Sequence, residues 1–102
     1  MKTHTLFVAT FPLVKVEASQ RALAVLSPGD VIDGISRHLT GDWGELDEHE
    51  WKTTDEAAEF GCRLVSRYRT AEGVCFWVVT EADRSVTRIQ LPEEAIAASR
   101  LQ

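Results

Sequence analysis

The sequence predicts an α+β fold, with N-terminal helices packed on one face of a three-stranded antiparallel meander and an extra N-terminal edge strand. Three observations lead there. Apolar residues between Ser19 and Phe60 recur at helical spacing, and helix start and stop signals punctuate the same stretch. From Arg63 onward the period drops to two. Helices first and strands afterwards, joined by short loops, is the pattern of segregated α+β layers.

The elements follow in order. "TLFVATFPLVKVEA" (Thr5 to Ala18) is rich in β-formers but interrupted by Pro12. An edge strand near Leu13 to Glu17 is expected, because proline is tolerated at a sheet edge and not in a central strand. Ser19 is placed to cap a short helix through Leu26, with Ala22, Leu23, Val25 and Leu26 on one face. Ser27 caps the next, with Pro28 at its first position, where a missing N–H costs nothing. Val31, Ile32, Ile35 and Leu39 form its apolar stripe, Gly41 ends it and Gly44 permits a turn. Asp47 or Thr54 opens a third helix, with Trp51, Ala58 and Phe60 facing inward and Gly61 as its stop. "RLVSRYRT", "VCFWVVTE" and "SVTRIQLP" then read as three strands, turning at Gly73 and at Glu81 to Arg84. The middle strand, Val74 to Val79, is apolar on both faces, so it is expected between neighbours and covered on both sides. "EEAIAASRLQ" closes the chain as a short helix or frayed tail.

A chain of 102 residues is expected to form one domain, residues 1–102, large enough to bury a core without staples. Cys62 and Cys75 are too few for a disulfide framework, lack metal-ligand spacing, and are expected as buried free thiols. The apolar run from Leu6 to Val14 is shortened by Pro12 and Lys15 and has no small-x-small site after it. A secretory signal is therefore not expected, nor is a membrane span, and the expected compartment is the cytoplasm. A net charge of −5 argues against direct nucleic-acid binding. The charge is concentrated: eight carboxylates from Asp42 to Glu59 face only Lys52, a net −7. The chain is a nearly neutral body with one acidic limb.

Chemistry would have to come from two loops. In "HLTGDWG" (His38 to Gly44), His38 and Asp42 lie four apart with Asp47 and His49 nearby. No H-x-x-x-H or C-x-x-C pairing occurs, so no metal or cofactor is expected. His38, in the last turn of its helix, is expected to meet the C-terminal carbonyls and dipole. Trp43 has two readings: folded over the core with its N–H satisfied, or exposed as a binding anchor. In "TEADRS" (Thr80 to Ser85), Glu81, Asp83 and Arg84 gather at a hairpin tip, consistent with turn chemistry and a local ion pair. His38, Glu81, Asp83 and Arg84 make a secondary candidate site. No nucleophile elbow, phosphate loop or Cys–His pairing appears, so no catalytic residue is assigned. Arg63, Arg67 and Arg69 share one strand face with Val65, Arg88 aligns across the sheet, and Tyr68 points the other way. Those arginines are expected to meet the acids of the third helix or lie in solvent.

"GDWGELDE", "GCRLVSRYRTAEG" and "FWVVTEADRSVTRIQLPEE" together resemble a group of small bacterial proteins carried on plasmids, integrated elements and phages, known as plasmid-related proteins. The shared pattern is H-x-x-G-D-W-G, an acidic helix, S-x-Y-R, and W-x-x-T-E-A-D-R-S before L-P-E, in order from about Leu13 to Glu94. It falls here on His38, Asp42 and Trp43, then on Glu81, Asp83, Arg84 and Ser85; the chain departs from it after Glu94 and in its longer N-terminal lead. The resemblance implies a context: mobile elements carry compact acidic proteins that neutralise host defences. The expected function is an acidic protein-binding module that docks on a host protein or nucleoprotein complex, such as CRISPR or restriction machinery, and inhibits it. Trp43 would be the anchor, and Asp42, Glu45, Asp47, Glu48 and Glu50 the rim. The alternatives are a small enzyme or metal-dependent factor using His38, Asp42, Glu81 and Asp83, and a structural accessory of a plasmid gene cassette. A middle strand apolar on both faces also leaves room for a homodimer through the sheet.

Overall fold

The computed structural model describes residues 3–7 and 15–100, with side-chain environments from Lys15 to Ile96. In chain order it contains β1 (Thr3–Phe7), β2 (Val16–Ser19), α1 (Gln20–Val25), α2 (Pro28–Leu39), α3 (Glu48–Phe60), β3 (Leu64–Arg69), β4 (Cys75–Thr80), β5 (Thr87–Gln90) and α4 (Pro92–Arg100). The class is α+β, as the change of period predicts. Three of the four helix starts are set locally by a capping side chain. Ser19 and Ser27 accept from the Ala22 and Asp30 amides, and Asp47 accepts from Glu50, the last two as full capping boxes.

β3, β4 and β5 form the expected antiparallel meander, with Tyr68 opposite Phe76 and Val78 opposite Ile89. The N-terminal region departs from expectation. It holds two strands, and the sheet order is β1-β2-β5-β4-β3, so β2 is interior rather than an edge. β2 runs antiparallel to β1 and parallel to β5, with Val16 beside Thr87 and Ala18 beside Ile89. Pro12, the basis of the edge assignment, lies outside the described residues. The β2–β5 pairing joins segments some seventy positions apart, which no local pattern encodes.

One sheet face carries Val16, Ala18, Tyr68, Phe76, Val78 and Ile89, and these pack with Ala22 and Leu26 and with Val31 and Ile35 in a single core. The stripe of α2 is shifted from the expected one: Val31, Gly34, Ile35 and His38 are buried, whereas Ile32 is 63 % exposed. Gly34 allows this rotation, since a Cβ there would meet the Phe76 ring at 2.7 Å. α3 departs further. Its buried residue is Thr54, while Ala58 is exposed and Phe60 is 74 % exposed. This helix runs along β3, and its Glu50, Thr53 and Thr54 share a groove with Val65, Arg67 and Trp77 of the opposite sheet face. The helices therefore do not all lie on one side of the sheet. The middle strand is covered unevenly: Phe76, Val78 and Thr80 are buried on the core face, and opposite them Val79 is buried while Cys75 and Trp77 are half-buried. The cysteines are free, Cys75 half-buried and Cys62 exposed rather than buried.

The free edge of β3 is occupied by the segment between α2 and α3. Arg67 donates its amide to the Trp43 carbonyl at 3.1 Å, and the Glu45 amide donates to the Arg67 carbonyl at 2.7 Å. Gly44 sits at the centre of this parallel bridge with φ +78°. A Cβ at Gly44 would collide with the Arg67 carbonyl oxygen and meet the Tyr68 ring at 2.6 Å. Gly41, also at positive φ, has open space around it. Gly41→Ala is thus expected to cost about 1 kcal/mol from its backbone conformation alone. Gly44→Ala is expected to cost about 3 kcal/mol or more, adding steric displacement to that strain. Urea denaturation of the two variants measures the difference; equal losses would mean that the clamp on β3 does not depend on a missing side chain.

Candidate functional site

The core-facing positions of the meander are not all apolar. Ser66 on β3, Thr80 on β4 and Thr87 on β5 point into the core and are fully buried. A buried hydroxyl needs a partner. His38, projecting from the last turn of α2 and 3 % exposed, supplies it: Nδ1 lies 2.6 Å from Ser66 Oγ and Nε2 lies 2.8 Å from Thr80 Oγ1. Thr80 Oγ1 continues to Thr87 Oγ1 at 2.7 Å. A neutral imidazole has one donor and one acceptor, so the chain of hydroxyls runs in one direction for one tautomer and reverses for the other. The expectation that His38 meets helix-end carbonyls is corrected: its ring faces the sheet. Desolvation, and secondarily the charge of Arg84, pushes its pKa down to about 4.

The Ser66–His38 distance is that of a nucleophile and its base. The pair is nevertheless sealed in the core, and the other ring nitrogen meets a hydroxyl rather than an orienting carboxylate. It is a structural strut. The carboxylates named for an enzymatic reading are dispersed. Asp42 pairs with Arg37 at 2.7 Å and accepts the Gly44 amide at 3.1 Å. The Arg37 hydrogen bond, helped by that amide and the Arg37 charge, holds the Asp42 carboxyl below its ordinary range. Glu81 bridges Arg63 at 3.3 Å and Arg88 at 2.6 Å. Asp83 accepts from the Ser85 amide at 3.0 Å and the Ser85 hydroxyl at 2.6 Å, closing the hairpin tip. Among the described residues, no group of three or more His, Cys, Asp or Glu side chains is placed to hold a metal.

The GDWG segment proves to be a clamp. Trp43, 3 % exposed, stands edge-on to His38 with ring centroids 5.5 Å apart and donates its indole N–H to Asp55 on α3 at 2.7 Å. It is a core residue and does not act as a surface anchor. The Tyr68 hydroxyl donates to the Asp42 carbonyl at 2.6 Å, and burial pushes its pKa up to about 12. Arg37 lies over the Tyr68 ring at 4.6 Å. The acidic rim is likewise absorbed: Glu45 pairs with Arg69, Glu50 with Arg67, and Asp47 caps α3. Of the six residues expected to bind a partner, Glu48 alone keeps an unengaged carboxylate among the described residues.

The free acids lie further along α3. Glu48, Lys52, Glu56 and Phe60 recur every fourth residue on an exposed row, flanked by Asp55 and Glu59. Glu48, Glu56 and Glu59 form no ion pair among the described residues. The two motif loops do meet, at the opposite edge of α3. His38, Leu39, Trp43, Ala58, Leu64, Thr80 and Arg84 line a cavity of about 180 Å³. Asp42, Glu81 and Asp83 take no part in it. Sequence reasoning missed Ser66, Thr80 and Thr87, although hydroxyls at inward positions of strands with period two were the available signal. It also placed Phe60 in the core. Compared with known proteins, the chain matches no family model, no curated protein and no solved structure. No helix among the described residues is long and apolar enough to cross a membrane.

The buried histidine has a consequence for stability. Unfolded, His38 titrates near 6.5; folded, near 4, so between those values the unfolded chain binds the extra proton. Stability is therefore at full value above pH 6.5 and falls as pH drops to 4, by about 3 kcal/mol at ~1.4 kcal/mol per unit. His38→Gln, a neutral donor and acceptor, is expected to flatten that slope. Urea titrations of both proteins from pH 7 to pH 4 check it, and parallel slopes would assign the acid loss to other groups.

Proposed function

We propose that this chain is an acidic protein-binding module that docks through the outer face of α3 on a basic surface of its partner. The observation that carries this reading is Phe60, a large apolar side chain left 74 % exposed on the same helix face as the unpaired carboxylates of Glu48, Glu56 and Glu59. An aromatic anchor beside acids is suited to a partner with an apolar socket rimmed by lysine or arginine. The acids speed encounter and fix orientation, and the phenyl ring supplies affinity that survives salt. Phe60 takes the place that Trp43 was expected to fill, and Glu48, Glu56 and Glu59 replace the rim around Asp42.

From the resemblance to proteins of mobile elements we further propose the identity of the partner: a host defence nucleoprotein complex of CRISPR or restriction type in the cytoplasm. The exposed carboxylates of α3, Glu48, Glu56 and Glu59, support this, because they offer a nucleic-acid groove a substitute for backbone phosphates. No direct nucleic-acid contact by this chain is part of the proposal.

Affinity capture from a bacterial host lysate tests it with three baits: the native protein, Phe60→Ala, and the double variant Glu56→Lys/Glu59→Lys. All three changes lie on the exposed face and leave the core untouched. One defence complex is expected on the native bait, with retention falling at least tenfold for either variant and association slowing in high salt. Equal retention on all three baits would remove α3 from the interface, and with it this reading.

A further inference from the structure

The cavity where the two motif loops meet carries a second inference, independent of the outer face of α3. Its walls come from four places: Leu39 at the end of α2, Ala58 on α3, Leu64 at the start of β3, and Thr80 and Arg84 at the end of β4 and in the following turn, with Trp43 and His38 behind. Arg84 is the one charged group among them at neutral pH, since His38 is held neutral by burial.

Arg84 differs from every other arginine whose side chain is described. Arg21, Arg37, Arg63, Arg67, Arg69 and Arg88 each hold a carboxylate, and Arg84 holds none. Its Nη1 donates to the carbonyls of Cys62 at 2.6 Å, Glu81 at 3.2 Å and Ala82 at 3.3 Å, and Nη2 reaches the Ala57 carbonyl at 3.5 Å. These bonds fix the guanidinium but leave its charge unneutralised, and Nε has no partner among the described residues. The residue also takes φ +63°, a region where L-residues other than Asn and Asp are uncommon. The Asp83–Ser85 turn bonds hold the chain in that shape. The hydroxyl of Thr80 and the ring of His38 satisfy each other and do not compete for a ligand.

We propose that this cavity binds a small organic anion, a carboxylate on an apolar body of about benzene size, with Arg84 receiving the carboxylate, the buried Trp43 and Leu64 backing the body, and the exposed Leu39 and Ala58 lining the cavity on its solvent side. The volume of about 180 Å³ matches that class, since apolar protein cavities near 150 Å³ accept benzene. The charge matches as well: a fixed, planar guanidinium without a counter-ion pairs with a carboxylate through charge-assisted hydrogen bonds.

The probes are benzoate, its neutral counterpart benzamide, and acetate, which carries the charge without the body. Each is titrated into ¹⁵N-labelled protein. Benzoate is expected to shift the Trp43 indole N–H and the Arg84 amide saturably, and to bind at least tenfold more tightly than benzamide or acetate. Arg84→Gln should erase the preference over benzamide. Because Arg84 also holds carbonyls at the end of α3, a second variant, Ala58→Leu, adds bulk to the cavity wall with Arg84 in place and should weaken the benzoate shifts at least tenfold. The proposal is overturned if benzoate leaves the Trp43 indole unmoved up to ~10 mM, the limit of weak binding. Equal shifts by benzamide overturn it too, since Arg84 would then not select an anion, as do shifts that persist undiminished in Ala58→Leu, which would place binding outside the cavity.

Discussion

Three hydroxyls buried on the core face of the meander set the condition that the rest of this fold must meet. Ser66, Thr80 and Thr87 lie where valine or leucine would pack, and all three are sealed from water. Left unpaired, each would cost about 1–3 kcal/mol. One neutral imidazole satisfies Ser66 and Thr80, and Thr80 satisfies Thr87. That requirement places the last turn of α2 directly over β3 and β4. It also explains why α2 buries Gly34 and His38 instead of Ile32 and Leu39: the helix is rotated to aim the ring at the sheet. Neutrality follows from the same burial, because an imidazolium here would have two donors and a neighbouring arginine.

The GDWG segment is the other half of that arrangement. Trp43 closes the exposed side of His38, and its backbone runs beside β3 as a short parallel addition. An edge strand is thereby covered, which removes a row of unpaired backbone groups. The charges of the limb serve the same purpose. Asp42, Glu45 and Glu50 hold Arg37, Arg69 and Arg67, three bridges that fasten the segment and the start of α3 to α2 and β3. These pairs are partly exposed, so each contributes little by itself, but together they fix which carboxylates face inward. What remains outward is the later half of α3, ending in Phe60. The division of the acids between fastening and display is what locates the proposed docking face.

Much of this was legible in the sequence because it is set within a few residues. The caps at Ser19, Ser27 and Asp47 and the stop at Gly61 depend on side chains bonding to amides three positions away or on one backbone conformation. The three-stranded meander follows from alternation and short turns, and the shared face of Arg63, Val65, Arg67 and Arg69 follows from the pleat. The expectation that those arginines meet acids holds for Arg67 with Glu50 on α3, whereas Arg69 reaches Glu45 before the helix and Arg63 reaches Glu81. Alternation also told which strand residues point inward, yet Ser66 and Thr80 were read by periodicity and not by chemistry.

Local pattern by itself determined where helices and strands begin, which strand faces are apolar, and that the acids form one limb. Only the tertiary structure decided the parallel seating of β2 beside β5, the rotation of α2, the burial of Trp43 and the exposure of Phe60. The physical reason is the same in each case. These outcomes turn on which distant surface a side chain meets: a hydroxyl across the core for His38, an aspartate on α3 for the Trp43 indole, mostly solvent for Phe60. Helical and strand periods state how residues share a face; they do not state what that face will touch.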